Sequence, residues 1–165
     1  MDAGSNPTPA SIFFHTVAAT VSLFHRWFFR PKVQPLAPDP AFERADRALD
    51  EFVVETLKPF DHVALERDAH RQSLAQEFHL GARNALAQAE EFDETHRLAL
   101  GVRYLQRYRG IPSEGGSITQ IEDAIARDTE LGAYAREGEE AMRRWLAGRD
   151  PRAPQRLQEL FDLRD

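Results

Sequence analysis

At 165 residues with 42% apolar side chains and no cysteine, the chain has the length and composition of about one domain with a single core. The missing cysteines exclude a disulfide framework, a thiolate zinc site, an iron–sulfur cluster and a cysteine nucleophile. A formal net charge of -6 argues against a general nucleic-acid binder, because sequence-independent affinity for phosphate backbones needs a surplus of Lys and Arg.

Residues 1–10 combine Gly, Ser, Asn and two prolines with little to bury and read as a mobile leader. They carry an Asp and no Lys or Arg ahead of the first apolar run. That is the reverse of a secretory signal, and the expected location is cytoplasmic. Residues 11–30 contain the run IFFHTVAATVSLFHRWFF. At about 100° per residue, Phe13, Val17, Val21, Phe24 and Phe28 fall on one stripe, while His15, Thr16, Ser22, Arg26 and Arg30 fall on or near the other side. An amphipathic helix is therefore expected. The uncharged stretch is shorter than the roughly 20 residues a bilayer span requires.

Residues 31–39 follow as a spacer, in which Pro31, Pro35 and Pro38 forbid helix. Residues 40–165 then read as a helical bundle domain. Asp39 as N-cap and Pro40 as first helical residue predict a helix to about Leu57, with Phe42, Ala45, Leu49, Phe52 and Val53 inward. Asp61 caps a third helix whose apolar positions run from Val63 through Leu74 and Phe78 to Phe92. Gly81 is read as a close-packing site inside that helix rather than its end, because Ala85 and Ala89 continue a line of small residues at four-residue spacing. Asp93 caps a helix over 94–109 with Leu98, Val102, Leu105 and Tyr108 buried, and GIPSEGG ends it. Ser117 and Gln120 have capping-box spacing and open a helix burying Ile118, Ile121 and Ile125. A further helix, from about Glu130 to Ala147, buries Leu131, Tyr134, Met142, Trp145 and Leu146. Asp150 and Pro151 introduce a last short one carrying Leu157, Leu160 and Phe161. No alternating run is long enough for a strand. The expected fold is all-α, a bundle of six to seven helices arranged as hairpins.

Four groups of residues bear on function. His62, Glu66 and His70 recur every four residues, with Glu77 further along the same strip, and would share one helical face, as divalent-metal ligands can. A second helix would have to complete the set, with donors such as His96 or Glu91 brought in by folding, and no Glu-x-x-His occurs in the chain. The competing reading is a solvated stripe, and no cofactor is expected. Arg67 and Arg71 fall within the arc expected to be buried. They would either pair with acids on a neighbouring helix or, with His70, form an anion pocket. Arg103, Arg107 and Arg109 alternate with Tyr104 and Tyr108, a mixture that can hold single-stranded nucleic acid; helical geometry favours an ordinary solvated arginine edge. Ser73 lies near His70 and Glu77 but lacks the strained turn and oxyanion donors of a serine hydrolase.

The fourth group is the first helix itself. Phe13, Val17, Val21, Phe24, Trp27 and Phe28 present more apolar surface than a tethered helix can leave in water. The expectation is thus a non-enzymatic helical interaction or scaffold module, docking through this helix onto a protein partner, a second copy or its own bundle. The alternatives are a metal-dependent helical-bundle enzyme using the His/Glu stripe, and a peripheral protein seated on a membrane surface through the same aromatic face.

Overall fold

In the computed structural model, residues 39–110, 118, 122–123, 126–148 and 150–163 are described. The aromatic N-terminal stretch and its proline-rich spacer lie outside them, as do most of the residues around Ile118. Among the described residues there are six helices and no strand: α1 Pro40–Leu57, α2 His62–Arg67, α3 Ala69–Ala89, α4 Glu94–Arg109, α5 Thr129–Gly148 and α6 Arg156–Asp162. None of these helices is long and apolar enough to cross a membrane.

Aspartates set most of the helix starts. Each carboxylate takes up backbone N–H groups that the first helical turn leaves without a partner. Asp39 accepts from Ala41 N at 2.8 Å ahead of Pro40, Asp93 from His96 N at 2.9 Å, and Asp128 from Glu130 N at 2.8 Å. Gly110 closes α4 in the left-handed conformation, with φ +60°, which costs glycine nothing.

The third expected helix is two. Asp61 starts α2, but the chain leaves helical geometry at Asp68 (φ -99°, ψ 90°), whose carboxylate accepts from Arg71 N at 2.9 Å and begins α3. A capping aspartate inside an apolar pattern thus ends one helix and opens the next. The break turns α2 away from the core: none of its residues is buried, and Val63, expected inside, is 56% exposed.

Helix α3 sits at the centre and packs against α1, α2, α4 and α5. It buries residues on nearly every side, from Leu74 to Ala87. Its closest approach is to α5, and it runs unbroken through Gly81. A Cβ built on Gly81 would lie 1.8 Å from the Ala135 carbonyl oxygen, and one on Gly138 would lie 1.8 Å from the Phe78 carbonyl oxygen. The two backbones touch directly at both points. Above this crossing Phe52 of α1 stacks on Phe78, with ring centroids 6.2 Å apart, and meets Trp145 of α5 edge-on. Leu157 and Phe161 of α6 complete the core.

On the other flank α4 lies along α1. Arg103 reaches Glu43 (2.9 Å) and Asp46 (3.1 Å), while Arg107 reaches Asp46 (3.0 Å) and Asp50 (2.8 Å). The arginines expected on a solvated edge are therefore ion-pair partners between helices. Their four-residue spacing matches the acids at 43, 46 and 50 of α1.

Candidate functional site

A pocket of about 590 Å³ opens between the C-terminal turns of α1 and α4, α2 and the first half of α3. Its apolar wall is Val54, Leu57, Leu65 and Ala75, with Val54 half exposed. The volume lies within the range of roughly 300–1,000 Å³ in which small-molecule sites occur.

Its inner wall holds His79 and Tyr104, both of them buried. His79 Nδ1 and Tyr104 Oη form a hydrogen bond of 3.0 Å, while His79 Nε2 is buried without a partner among the described residues. Burial pushes the His79 pKa down to about 3, so the imidazole is neutral at physiological pH. Burial raises the Tyr104 hydroxyl, and the positive charge of Arg109 acts in the opposite sense.

The rim is polar and largely basic. Arg107 is held by Asp46 and Asp50, and Lys58 lies 3.5 Å from Glu55. Arg109 Nη1 donates to the neutral amide oxygen of Gln72 at 2.7 Å, and no carboxylate pairs with it among the described residues. Glu66 and His62 stand on the α2 side, where the Gln72 amide nitrogen donates to the Glu66 backbone carbonyl at 2.9 Å.

A second polar assembly lies deeper along α3. Arg83 is fully buried; its Nη2 donates to Glu122 at 2.7 Å and to Asn84 at 2.6 Å. Arg97 of α4 shares the same carboxylate. A Cβ on Gly101 would stand 2.7 Å from Arg83 Nη1, so glycine there makes room for the guanidinium. The cavity beside it holds about 260 Å³. Glu77, also buried, lines neither space; among the described residues its side chain's only hydrogen bond is the weak one from Gln76 at 3.3 Å, and its Oε2 has no partner. Burial lifts its pKa to about 7, against lowering contributions from the Gln76 amide and from Arg83.

The sequence-derived candidates are dispersed by the Asp68 break. His62 and Glu66 remain one turn apart on α2 and contribute to the pocket. His70 belongs to α3, with Nε2 3.7 Å from Glu130. His96 is engaged by Asp93 at 2.7 Å and Asp39 at 3.6 Å, and Glu91 is exposed. Among the described residues no three His, Asp or Glu side chains converge as metal ligands. Of the proposed anion pocket, Arg67 and His70 are exposed, whereas Arg71 lies 5.3 Å above the Phe161 ring and 3.6 Å from Asp68. Ser73 donates to the Ala69 carbonyl at 2.9 Å. Phe13, Val17, Val21, Phe24, Trp27 and Phe28 lie outside the described residues.

Sequence reading did not single out His79 and Arg83, and it placed Glu77 on the solvated strip with His62. Tyr104, the partner of His79, lies 25 residues away and Glu122, the acid of Arg83, lies 39 away, beyond what the periodicity of one helix can register. No known protein family, no curated protein and no solved structure matches this chain.

Proposed function

We propose that this chain is a non-enzymatic helical interaction module, a body of packed helices that binds by recognition, with the α1–α4 pocket as one receiving surface and the aromatic stretch 11–30 as a docking element. The observation that carries the pocket half is its chemistry. It offers apolar wall and hydrogen-bonding groups, while the histidine of its inner wall, His79, is held neutral far from the pKa near 7 that proton transfer requires. The nearby Ser73 hydroxyl is committed to backbone. Methyl NMR of the full chain against a fragment collection tests this half: shifts confined to Val54, Leu57 and Leu65 are expected, and a collection that leaves all three unmoved sinks it.

The docking half rests on the five apolar residues of the expected helical stripe, with Trp27 beside them, and on the cost of leaving that surface wet. A full-length protein carrying Phe24→Asp and Phe28→Asp should lose native mass if the stripe joins two copies, or lose a co-purifying protein if it joins a partner. A variant that keeps both removes the docking element. Anionic liposomes offered to the intact protein separate this from a membrane-surface role, which predicts binding that the same two changes abolish.

A further inference from the structure

We infer that the α1–α4 pocket takes a small amphipathic carboxylic acid, with the carboxylate held by Arg109 and Tyr104 and the apolar chain laid along Val54, Leu57 and Leu65. This rests on the pocket being a receiving surface and adds the class of its ligand.

Charge is the first reason. In an acidic chain of net charge -6, the α4 side of this pocket gathers two guanidiniums, and they are not equivalent. Arg107 is neutralised by Asp46 and Asp50. Arg109, on the exposed last turn of α4, makes its contact with an amide and keeps its charge uncompensated by any carboxylate of the described residues. A guanidinium is the side chain best suited to a planar carboxylate. Glu66, on the α2 rim, repels an anion from that side and so sets the ligand's polarity: head toward α4, tail toward α1 and α2.

Hydrogen bonding is the second. The neutral imidazole and the phenol share one hydrogen bond, and in either tautomer one donor remains. If Tyr104 donates to Nδ1, His79 carries its proton on the unpartnered Nε2. If Nδ1 donates to Tyr104, the phenol hydrogen is free. A carboxylate beside Arg109 selects the second arrangement and accepts from Tyr104. One guanidinium and one hydroxyl match the two oxygens of a monocarboxylate; a phosphate would bring more charge than this wall, with Glu66 opposite, compensates.

The third reason is the wall. Val54 is 51% exposed, a large apolar side chain left in water at the mouth of a concave surface that Leu57, Leu65 and Ala75 continue. An alkyl or aryl chain would cover it.

Calorimetric titration of the full chain with octanoate and with octanamide, its uncharged counterpart, tests the inference. Octanoate should bind saturably and about tenfold or more tightly than the amide. Arg109→Met, which keeps the aliphatic stem on an exposed turn, should weaken octanoate about tenfold and leave octanamide unchanged; Tyr104→Phe should weaken octanoate by less. In ¹⁵N-histidine spectra, octanoate should drive His79 to the Nδ1–H form. Equal binding of acid and amide, both weakened by Val54→Asp, overturns the carboxylate assignment and leaves the receiving pocket standing. Octanoate binding that Arg109→Met does not alter overturns the assignment, and binding of neither probe overturns it together with the pocket reading.

Discussion

Where α3 crosses α5, nothing separates the two backbones but the absence of two Cβ atoms, at Gly81 and Gly138. Where α4 lies on α1, the helices are joined through side chains about as long as side chains can be, with Arg103 and Arg107 bridging to Glu43, Asp46 and Asp50. The first contact is steric and localised, so it has no tolerance for an added atom. The second is electrostatic, shared among five residues and partly in water, so the loss of one member leaves the others in place. One helix pair is thus positioned by shape and the other by charge, and each should fail differently.

The largest expected effect comes from breaking the steric contact. Gly81→Ala should by itself favour helix by about 1 kcal/mol, so any net loss measures the separation of α3 from α5 that its Cβ demands. With a backbone oxygen at 1.8 Å, that loss should reach at least about 3 kcal/mol in urea denaturation. Gly138→Ala should behave alike. The double variant should cost much less than the sum of the two, since helices pushed apart by one methyl have already made space for the other. Additive losses would mean that the two glycines act separately and that the crossing is not a single rigid contact.

That crossing was partly readable in advance, because glycine and alanine at 81, 85 and 89 of α3 suggested close packing rather than an end. The bounds of α1 were readable in full, since a capping aspartate followed by proline acts on its own helix alone. What local signals do not carry is the partner. Asp68 has the same chemistry whether it sits on a helix surface or ends the helix, and only the structure shows the chain turning there. Arg103 and Arg107 look like a solvated edge until α1 is laid beside them. Glu77, His79 and Arg83 look like surface residues because polarity in one helix says nothing about which neighbours enclose it. The candidate pocket suffered most, for it draws on four helices, and the sequence pointed to two of its edges, His62 and Glu66 on α2 and Tyr104, Arg107, Tyr108 and Arg109 on α4, without joining them.

The buried face of α3 sharpens the contrast between shape and charge, because Glu77 is a charge placed where shape rules. In the folded chain its pKa is raised from about 4.5 to about 7 by burial. Between those values the unfolded chain has released a proton that the folded one retains, so this residue's contribution to stability falls as pH rises through that window and is lowest above about 7. The difference is up to about 3 kcal/mol. His79 works the other way: its pKa is lowered to about 3, so its contribution is lost as pH falls. Glu77→Gln isolates the first effect. It should match the parent near pH 5 and exceed it in stability at pH 8; a variant with the same stability difference at both values would show that Glu77 ionises freely in the fold.

The smallest effects belong to the ladder between α1 and α4. Arg103 and Arg107 are each partly in water, where solvent and salt screen the pairs. Arg103→Ala or Arg107→Ala should therefore cost well under about 1 kcal/mol in stability, and less still in high salt. Asp46 is the exception within the ladder. Only 6% exposed, it accepts from both arginines, so Asp46→Ala should cost more than either arginine variant by leaving two guanidiniums turned toward a site without its acid. Arg103 also lies 4.7 Å over the Phe42 ring, and that contact survives the loss of Asp46 and persists in salt. Stability of the four proteins across a salt series would separate these contributions. An arginine variant as damaging as Gly81→Ala would show that α4 is held by this edge rather than by the core beneath it.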